Sequence, residues 1–376
     1  MKNLLIFCDF YLPSIEAGGP LRSITAIIDA LKSDFNITVV TRNHDLCSPE
    51  PYANIISNVI QDFNGYKILY LSKKNILKNT FKLLNNHYDI IYFNSFFSPH
   101  FSVIPQFIVW LKRLKARIII SPRGELGGGA LTIKSGRKKR YLPVFKFLQG
   151  NKTTEFLASS GNERIEIEKR IGKNFKVTEI ANLSIQKKLS SVSNLKKENK
   201  IRIVFVSRIS TKKNILFALN VLNRVKGDVL FDIYGPIEDL NYWNECLQVI
   251  AQLPAHIEVK YAGALHPDQV IDTLKSYDLF FLPTLNENYG YAIVEALAAA
   301  CPVLLSNQTP WHDLSHFNAG WEYDLSQPMQ FVEKIDSLIV MNEKQYQQYK
   351  IAALNYYTDH VANNALVDDY KLFFNK

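Results

Sequence analysis

The chain has 376 residues, 47% hydrophobic and 21% charged, a balance that suits two globular domains of ordinary size, each able to bury its own core. No apolar run approaches the ~18 residues needed to cross a membrane, and Cys8, Cys47, Cys246 and Cys301 show neither Cys-x-x-Cys spacing nor His partners for zinc, so a reduced, cytoplasmic protein is expected. The formal charge of +9 calls for anionic partners, and without a nucleic-acid module or basic-aromatic repeat it favours anionic lipid or acidic small molecules over nucleic acid.

Residues 3–8 read as a first strand, Asp9 to Ala17 as a loop, and Gly18-Gly19-Pro20 as the opening of a helix running to about Lys32. The paired glycines allow close backbone approach to a ligand, and they equally suit a plain strand-to-helix turn. Strands follow at Ile37–Thr41, Tyr66–Leu71, Ile90–Phe93, Arg117–Ser121 and Glu155–Ala158, separated by helical stretches such as Asn75–Asn86 and Phe101–Lys115. This alternation predicts a parallel, doubly wound sheet. His44 to Asn64 has no clear period and stays unassigned.

Ser121-Pro122-Arg123-Gly124-Glu125-Leu126-Gly127-Gly128-Gly129 lies at the carboxyl end of a predicted strand, the edge where open α/β sheets bind ligands. It is not a dinucleotide fingerprint, because Thr132 stands where Gly-x-Gly-x-x-Gly would end. Lys134 to Lys146 then holds only basic charges, interleaved with Tyr141, Leu142, Val144, Phe145 and Phe147. Two readings stay open: a solvated basic helix with its aromatics packed inward, or a patch that meets anionic lipid or an acceptor's pyrophosphate.

Residues 184–200 are rich in Ser, Lys and Asn and form the best interdomain linker. A second series of strands follows at Ile201–Val206, Val229–Tyr234, Ile257–Tyr261, Leu279–Leu282 and Val303–Leu305, nearly all ending in Ser, Gly or Pro. After the first of them, Arg208 and Lys213 provide a two-pronged clamp and a mobile point charge, together enough to neutralise a diphosphate. A basic surface turn is the plainer alternative. Gln345 to Phe374 reads as one or two helices.

From Leu282 to Trp311 a strand meets Pro283, a polar loop passes Gly290, and an apolar helix stops at Pro302. Glu295 is the exception on that helix, a carboxylate expected to be buried and therefore in need of a partner. The backbone N–H groups of Asn288, Tyr289, Gly290 and Tyr291 open at the helix mouth, where phosphate is favoured. A carboxylate one turn deeper suits a vicinal diol, as on ribose. Glu287, just outside, would hold hydroxyls on the other side of the phosphates, or serve only as an acid favoured by the helix dipole.

Glu287 and Glu295, separated by seven residues that include Asn-Tyr-Gly, resemble the signature of retaining glycosyltransferase family 4, which has the GT-B fold. The Gly18-Gly19 loop, the Ser-Pro-Arg-Gly segment, Arg208 with Lys213, Gly235-Pro236, Gly263-Ala264-Leu265 and Thr309-Pro310-Trp311 with Gly320-Trp321 fit the same family in order. The last pair resembles bacterial surface-polysaccharide members. Three positions depart from the pattern: Arg123 stands where many relatives have His, and Ser207 and Asn214 replace the glycines flanking Arg208 and Lys213.

The resemblance implies an α/β protein of two Rossmann-like, doubly wound parallel-sheet domains facing across a cleft. Residues 1–184 would form the acceptor-side domain, 185–200 the linker, 201–355 the nucleotide-sugar domain, and 356–376 a helix crossing back to the first domain. It implies transfer of a sugar from a nucleoside diphosphate donor to a glycan or lipid-linked saccharide, with retention. Glu287, Arg208 and Lys213 would be catalytic. Gly18, Gly19, Arg123, Arg208, Lys213, Gly235, Asn288, Tyr289, Gly290, Tyr291 and Glu295 would bind the donor. No Asp-x-Asp triplet is present to hold a divalent ion on phosphates, so no metal or other cofactor is expected. Peripheral contact with the inner face of an anionic membrane is expected through residues 134–147. A GT-B nucleotide-sugar epimerase and a non-catalytic sugar-nucleotide sensor are the alternatives.

Overall fold

The computed structural model describes residues 1–14, 18–46, 48, 50–127, 135–149, 154–183, 196, 199–362 and 364–376. The chain divides into two units, the first formed by Met1–Leu183 with Asn364–Lys376, the second by Ser184–Asn363. Both are parallel-sheet α/β units, the architecture predicted from the alternation of strands and helices.

In the first unit β1 (Lys2–Phe7), α1 (Gly19–Leu31), β2 (Phe35–Arg42), β3 (Ile60–Phe63) and β4 (Tyr66–Leu71) are followed by α2 (Ile76–Leu83), β5 (Ile90–Phe93), α3 (Ile104–Leu111) and β6 (Arg117–Ile120). Then come α4 (Ser135–Gln149), β7 (Thr154–Ala158), α5 (Gly161–Ile171) and β8 (Lys176–Glu179). The sheet order is β3-β4-β2-β1-β5-β6-β7-β8, and β3 alone runs antiparallel, paired to β4. Asn64 and Gly65, both at positive φ, make the two-residue turn between them, as an Asn-Gly hairpin requires. This hairpin occupies the end of the stretch left unassigned in the sequence. β8, with its half-exposed side chains, was also missed.

Helices cover both faces of this sheet. On one side lie Leu21, Ile24, Ile28 and Leu31 of α1, spaced at helical period, together with Tyr370, Phe373 and Phe374 of the last helix. On the other, Ile76 and Leu83 of α2, Ile108 of α3, Phe145 of α4 and Ile167 of α5 pack on Phe93, Ile120 and Phe156. The α3 region starts later than predicted, because Pro99–Val103 forms a wider turn before the regular helix.

The second unit runs β9 (Lys200–Val206), α6 (Ile215–Leu222), β10 (Asp228–Tyr234), α7 (Leu240–Ile250), β11 (Ile257–Tyr261), α8 (Val270–Leu274), β12 (Leu279–Leu282), α9 (Tyr291–Ala298) and β13 (Val303–Ser306). It ends with β14 (Gly320–Tyr323), α10 (Pro328–Ile339) and α11 (Glu343–Tyr356). Its sheet, β11-β10-β9-β12-β13-β14, is parallel throughout. β14 was not predicted: it is only four residues long and opens on Gly320, where a Cβ would stand 2.4 Å from the Val303 carbonyl oxygen. The final helix, α12 (Asn364–Asn375), belongs to the first unit, where Lys371 pairs with Asp34 and the Phe374 ring meets Tyr92.

Asp278 anchors the centre of the second sheet. It is 1% exposed and accepts hydrogen bonds from the Arg202 backbone N–H at 2.8 Å and from the Arg202 guanidinium at 2.9 and 3.2 Å. Its own carbonyl accepts from the Tyr346 hydroxyl on α11, so one residue ties β9, β12 and α11 together. Removing the carboxylate strands the Arg202 charge against the sheet. Asp278→Ala is expected to lower stability by about 3 kcal/mol, read as a fall in the urea midpoint with little change in slope.

Candidate active site

The residues singled out in the second half of the sequence gather at the carboxyl edge of the second sheet, on the loops leaving β9, β12 and β13. After β9, the Ile209 N–H bonds the Pro236 carbonyl and the chain makes a short turn over Thr211–Lys213. Asn214 then takes φ 60° and ψ 43°. Asn tolerates this left-handed conformation better than most residues, so it substitutes for the glycine of the resembled motif and keeps the turn. Its side-chain amide donates to the Pro283 carbonyl at 3.0 Å, tying the β9 exit to the β12 exit.

Lys212 strengthens that tie through its backbone. Its carbonyl accepts from the Leu285 N–H at 2.9 Å and from the Thr284 hydroxyl at 3.1 Å. The β13 exit joins through the Glu287 N–H, which donates to the Gln308 carbonyl at 3.0 Å, and through the Trp311 indole N–H, which donates to the Tyr289 carbonyl at 2.6 Å. The Tyr289 ring lies between those of Tyr291, at 4.9 Å, and Trp311, at 5.7 Å. Three loops are therefore laced into one rim.

Lys213 and Glu287 meet on this rim. The Lys213 ammonium donates to the Glu287 carboxylate at 2.5 Å, and Lys213 is only 8% exposed. The other carboxylate oxygen accepts from the Asn288 N–H at 3.0 Å. Burial pushes the Glu287 carboxyl up, but the Lys213 charge and hydrogen bond, the Lys212 charge and the Asn288 N–H outweigh it and hold the group below its ordinary value of 4.5. Arg208 stands apart from that pair, half-exposed and bonded to Glu238 at 2.8 Å. Arg208 and Lys213, read in the sequence as one clamp, each already hold a carboxylate.

Gly290 caps α9 at φ 84°. A Cβ there would come within 2.6 Å of the Ile293 side chain and 3.2 Å of Glu287, so glycine is required by both conformation and space. Tyr291 starts the helix, and Ile293, Val294, Ala296, Leu297 and Ala298 are buried. The helix is not buried all round, as its composition predicted: Tyr291, Ala292 and Glu295 lie along a partly covered side, and Glu295 is half-buried rather than fully enclosed. Gly235, at φ 140°, has a packing role of its own, since a Cβ would strike the Ser207 carbonyl oxygen at 1.9 Å.

The first unit holds Gly18, Gly19 and Arg123. Gly18 caps α1 at φ 64° and Gly19 begins the helix. Arg123, also at positive φ, donates to Asn94 Oδ1 at 2.8 Å, to the Tyr92 hydroxyl at 2.6 Å and to Asn182 Oδ1. Asn94 in turn donates to the Pro20 carbonyl at 3.2 Å, which links Arg123 to the glycine-opened start of α1. Sequence reasoning missed the two carboxylates that hold this loop. Glu125 accepts from the Phe96 and Phe97 N–H groups at 2.8 and 2.7 Å, and burial pushes its carboxyl up. Glu163 accepts from the Gly124 and Ser159 N–H groups at 2.5 and 2.8 Å. Glu125 was visible as the residue after Arg-Gly; Glu163 carried no sequence signal beyond its place at a helix start.

Gly128, Gly129 and Lys134 lie outside the described residues, as do most of 184–200 and the side chains of Arg137, Lys138 and Lys139. Among the described residues no three His, Cys, Asp or Glu side chains gather as a metal site, and no helix is long and apolar enough to cross a membrane.

Residues 186–355, nearly the whole second unit, match the family model of glycosyl transferases group 1. No curated protein matches the chain in sequence. Among solved structures the chain is similar to the Anabaena protein Alr3699/HepE in complex with UDP-glucose, at 15% identity and TM-score 0.73, covering 100% of both chains. It is similar to sucrose-phosphate synthase from Thermosynechococcus elongatus, at 12% identity and TM-score 0.72, covering 100% of this chain and 98% of that one. It also resembles WaaG, a glycosyltransferase involved in lipopolysaccharide biosynthesis, at 13% identity and TM-score 0.67, covering 98% of this chain and 99% of that one. The fold is GT-B, and the family match together with the fold supports a glycosyltransferase.

The Lys213–Glu287 pair gives stability a pH dependence of definite sign. A carboxyl held below its ordinary value contributes stability that is fully present above about 4.5 and is lost as pH falls through the folded value. Lys213→Met removes that contribution. The stability gap between wild type and this variant is expected to be about 3 kcal/mol near neutral pH and to narrow as pH falls below about 4.5, measured by urea unfolding across the range.

Proposed function

We propose that this chain moves a sugar from a nucleoside diphosphate donor to a hydroxyl of a growing, lipid-linked bacterial surface glycan, with retention at the anomeric carbon. The observation that carries the reading is the buried Lys213 ammonium held by Glu287 on the loop that opens α9. A diphosphate leaving group gathers negative charge as its bond to the sugar breaks, and a preformed cation with backbone donors beside it stabilises that charge without reorganisation. Lys213, Arg208 and the N–H groups of 288–291 fill this role.

Glu287 holds hydroxyls of the transferred sugar, and Lys213 passes from Glu287 to the phosphate as donor arrives. Neither charge is then stranded. Glu295, one turn inside α9 on its partly covered side, holds the ribose hydroxyls. For Gly18, Gly19 and Arg123 of the first unit, a part in donor binding rests on the motif resemblance alone. The acceptor hydroxyl attacks on the face the diphosphate leaves, and its proton passes to the departing phosphate oxygen. Retention, family 4 membership and the lipid-linked acceptor rest on the motif resemblance, and the membrane contact through 134–147 on the basic, aromatic composition of that segment together with such an acceptor. The reaction as proposed uses no metal, since the charges on phosphate are met by Lys, Arg and N–H groups.

Because UDP-glucose occupies the similar HepE structure, UDP-sugars head a thermal-shift panel that also includes GDP- and ADP-sugars. The matching donor is expected to raise Tm in proportion to RT ln(1 + [L]/Kd), and Lys213→Ala to abolish the rise. Glu287→Ala is expected to keep donor binding while lowering kcat by about a hundredfold or more, with wild-type turnover unchanged by a chelator. Unchanged product formation by Glu287→Ala, or a Tm shift that survives Lys213→Ala, would overturn the assignment.

A further inference from the structure

We infer that two copies of this chain pair edge to edge through β11, joining their second-unit sheets into one. β11 is the outer strand of its sheet, hydrogen-bonded to β10 on one side, and Glu258, Lys260 and Tyr261 on it are exposed. The Val229 N–H donates to the His256 carbonyl and the Ala262 N–H to the Ile233 carbonyl, both at 2.9 Å. Backbone groups alternate sides along a strand, so Glu258 and Lys260 turn theirs to β10, and Val259 and Tyr261 turn theirs to the open edge. An edge of this kind is a template for another strand unless its side chains oppose one.

The side chains of β11 oppose a strand of arbitrary sequence but suit a second copy. In an antiparallel pair centred on Val259, the two Val259 residues exchange N–H···O bonds, and Glu258 of each copy stands opposite Lys260 of the other. These outer positions are non-hydrogen-bonded pairs, where side chains come closest and opposite charges attract. Symmetry forms the ion pair twice, from side chains that make no ion pair or hydrogen bond among the described residues. The other three sheet edges lack this property. β3 (Ile-Gln-Asp-Phe) and β14 (Gly-Trp-Glu-Tyr) carry no cation, and in β8 Lys176 is already bonded to Glu155 at 2.6 Å.

Apolar surface beside the strand extends the contact. The Tyr242 hydroxyl accepts from the Leu216 N–H at 3.0 Å, which sets one side of α7 against α6. The Trp243 ring lies 5.1 Å from that of Tyr261, which sets the next side over β11. Leu240 and Leu247, at i−3 and i+4 from Trp243, share its side of the helix and are 68% and 45% exposed. The two-fold axis of an antiparallel strand pair is perpendicular to the sheet, so both α7 helices lie on one face and flank the junction. Their leucines then bury apolar surface that a lone chain leaves in water. A strand of other sequence could match the backbone, but not the charge order and the leucines together. The inference does not rest on the glycosyl-transfer reading.

Sedimentation velocity of the full chain over a concentration series is expected to show a reversible monomer–dimer equilibrium. Hydrogen exchange at the Val259 and Tyr261 amides is expected to slow only where the dimer forms. Glu258→Lys sets like charges opposite each other in both pairs and is expected to weaken the dimer by about tenfold or more. Adding Lys260→Glu reverses both pairs and should return the dissociation constant to within about threefold of wild type. Tm in dilute solution should stay unchanged in these charge variants, whose side chains are exposed. Val259→Pro removes an outward N–H, a change an edge strand tolerates, and is expected to weaken the dimer by about thirtyfold. Leu240→Ser with Leu247→Ser is expected to weaken it by about tenfold. Ile351→Ser, exposed on α11 at the β14 end of the sheet, is the control and should associate as wild type. A monomer at every concentration up to about 0.1 mM would overturn the inference. So would a dimer that Glu258→Lys leaves intact, or one that the charge swap fails to restore, since either places the contact on another surface.

Discussion

The second unit is organised by the need to keep a buried ammonium and a buried carboxylate together. Either charge alone would be costly in so enclosed a place, because a removed partner leaves an uncompensated ion. Lys213 reaches Glu287 only because the loops after β9 and β12 are pinned to each other through the Lys212 carbonyl and the Asn214 amide. The loop after β13 then fixes the backbone on either side of Glu287, through Gln308 and Trp311. Packing requirements follow from the same lacing. Gly290 and Gly235 sit where any Cβ would collide, so the glycines of this rim are explained by closeness of backbone before any ligand is considered. A site that handles diphosphate needs such rigidity, since electrostatic stabilisation is effective only when the donors are already aimed.

The first unit reaches a similar end with different residues. The loop that carries Arg123 in a left-handed conformation is held by two carboxylates, Glu125 and Glu163, that accept from backbone N–H groups. The guanidinium donates to Tyr92, Asn94 and Asn182. A His at this position would reach fewer of those acceptors, so the substitution brings its own bracing network with it.

Sequence alone made the strand and helix rhythm legible, because a parallel sheet buried on both faces leaves apolar runs ended by Ser, Gly or Pro, as at Ser207, Gly235 and Ser306. It also made Glu287, Glu295 and Arg208 with Lys213 stand out. The elements it missed are those whose signal is short or non-local. β3 is an exposed edge strand whose clearest mark is the Asn64-Gly65 turn, and β14 is four residues resting on a single glycine contact. The pairing of Lys213 with Glu287 joins residues 74 apart and has no local trace. Glu295 was placed too deep because the composition of α9 does not say which side its neighbours leave open. The exposed apolar side chains of α2 and α3 were hidden for the opposite reason: at helical spacing, Leu77, Phe81, Phe107 and Leu111 look like core until the sheet shows which side is already taken.

The cations of this chain sit in two physically different settings, and salt separates them. Lys213 is buried against a carboxylate at contact distance, where mobile ions hardly enter and the interaction is weakly screened. Lys73, Lys74, Lys78, Lys82, Arg113 and Lys115 of the first unit are exposed, so their charge is screened over about 8 Å at physiological salt. The net charge of +9 is therefore not a uniform property of the molecule. Around Lys213 and Arg208 the charge is balanced locally by Glu287 and Glu238, and only an anion that competes with those carboxylates can claim it.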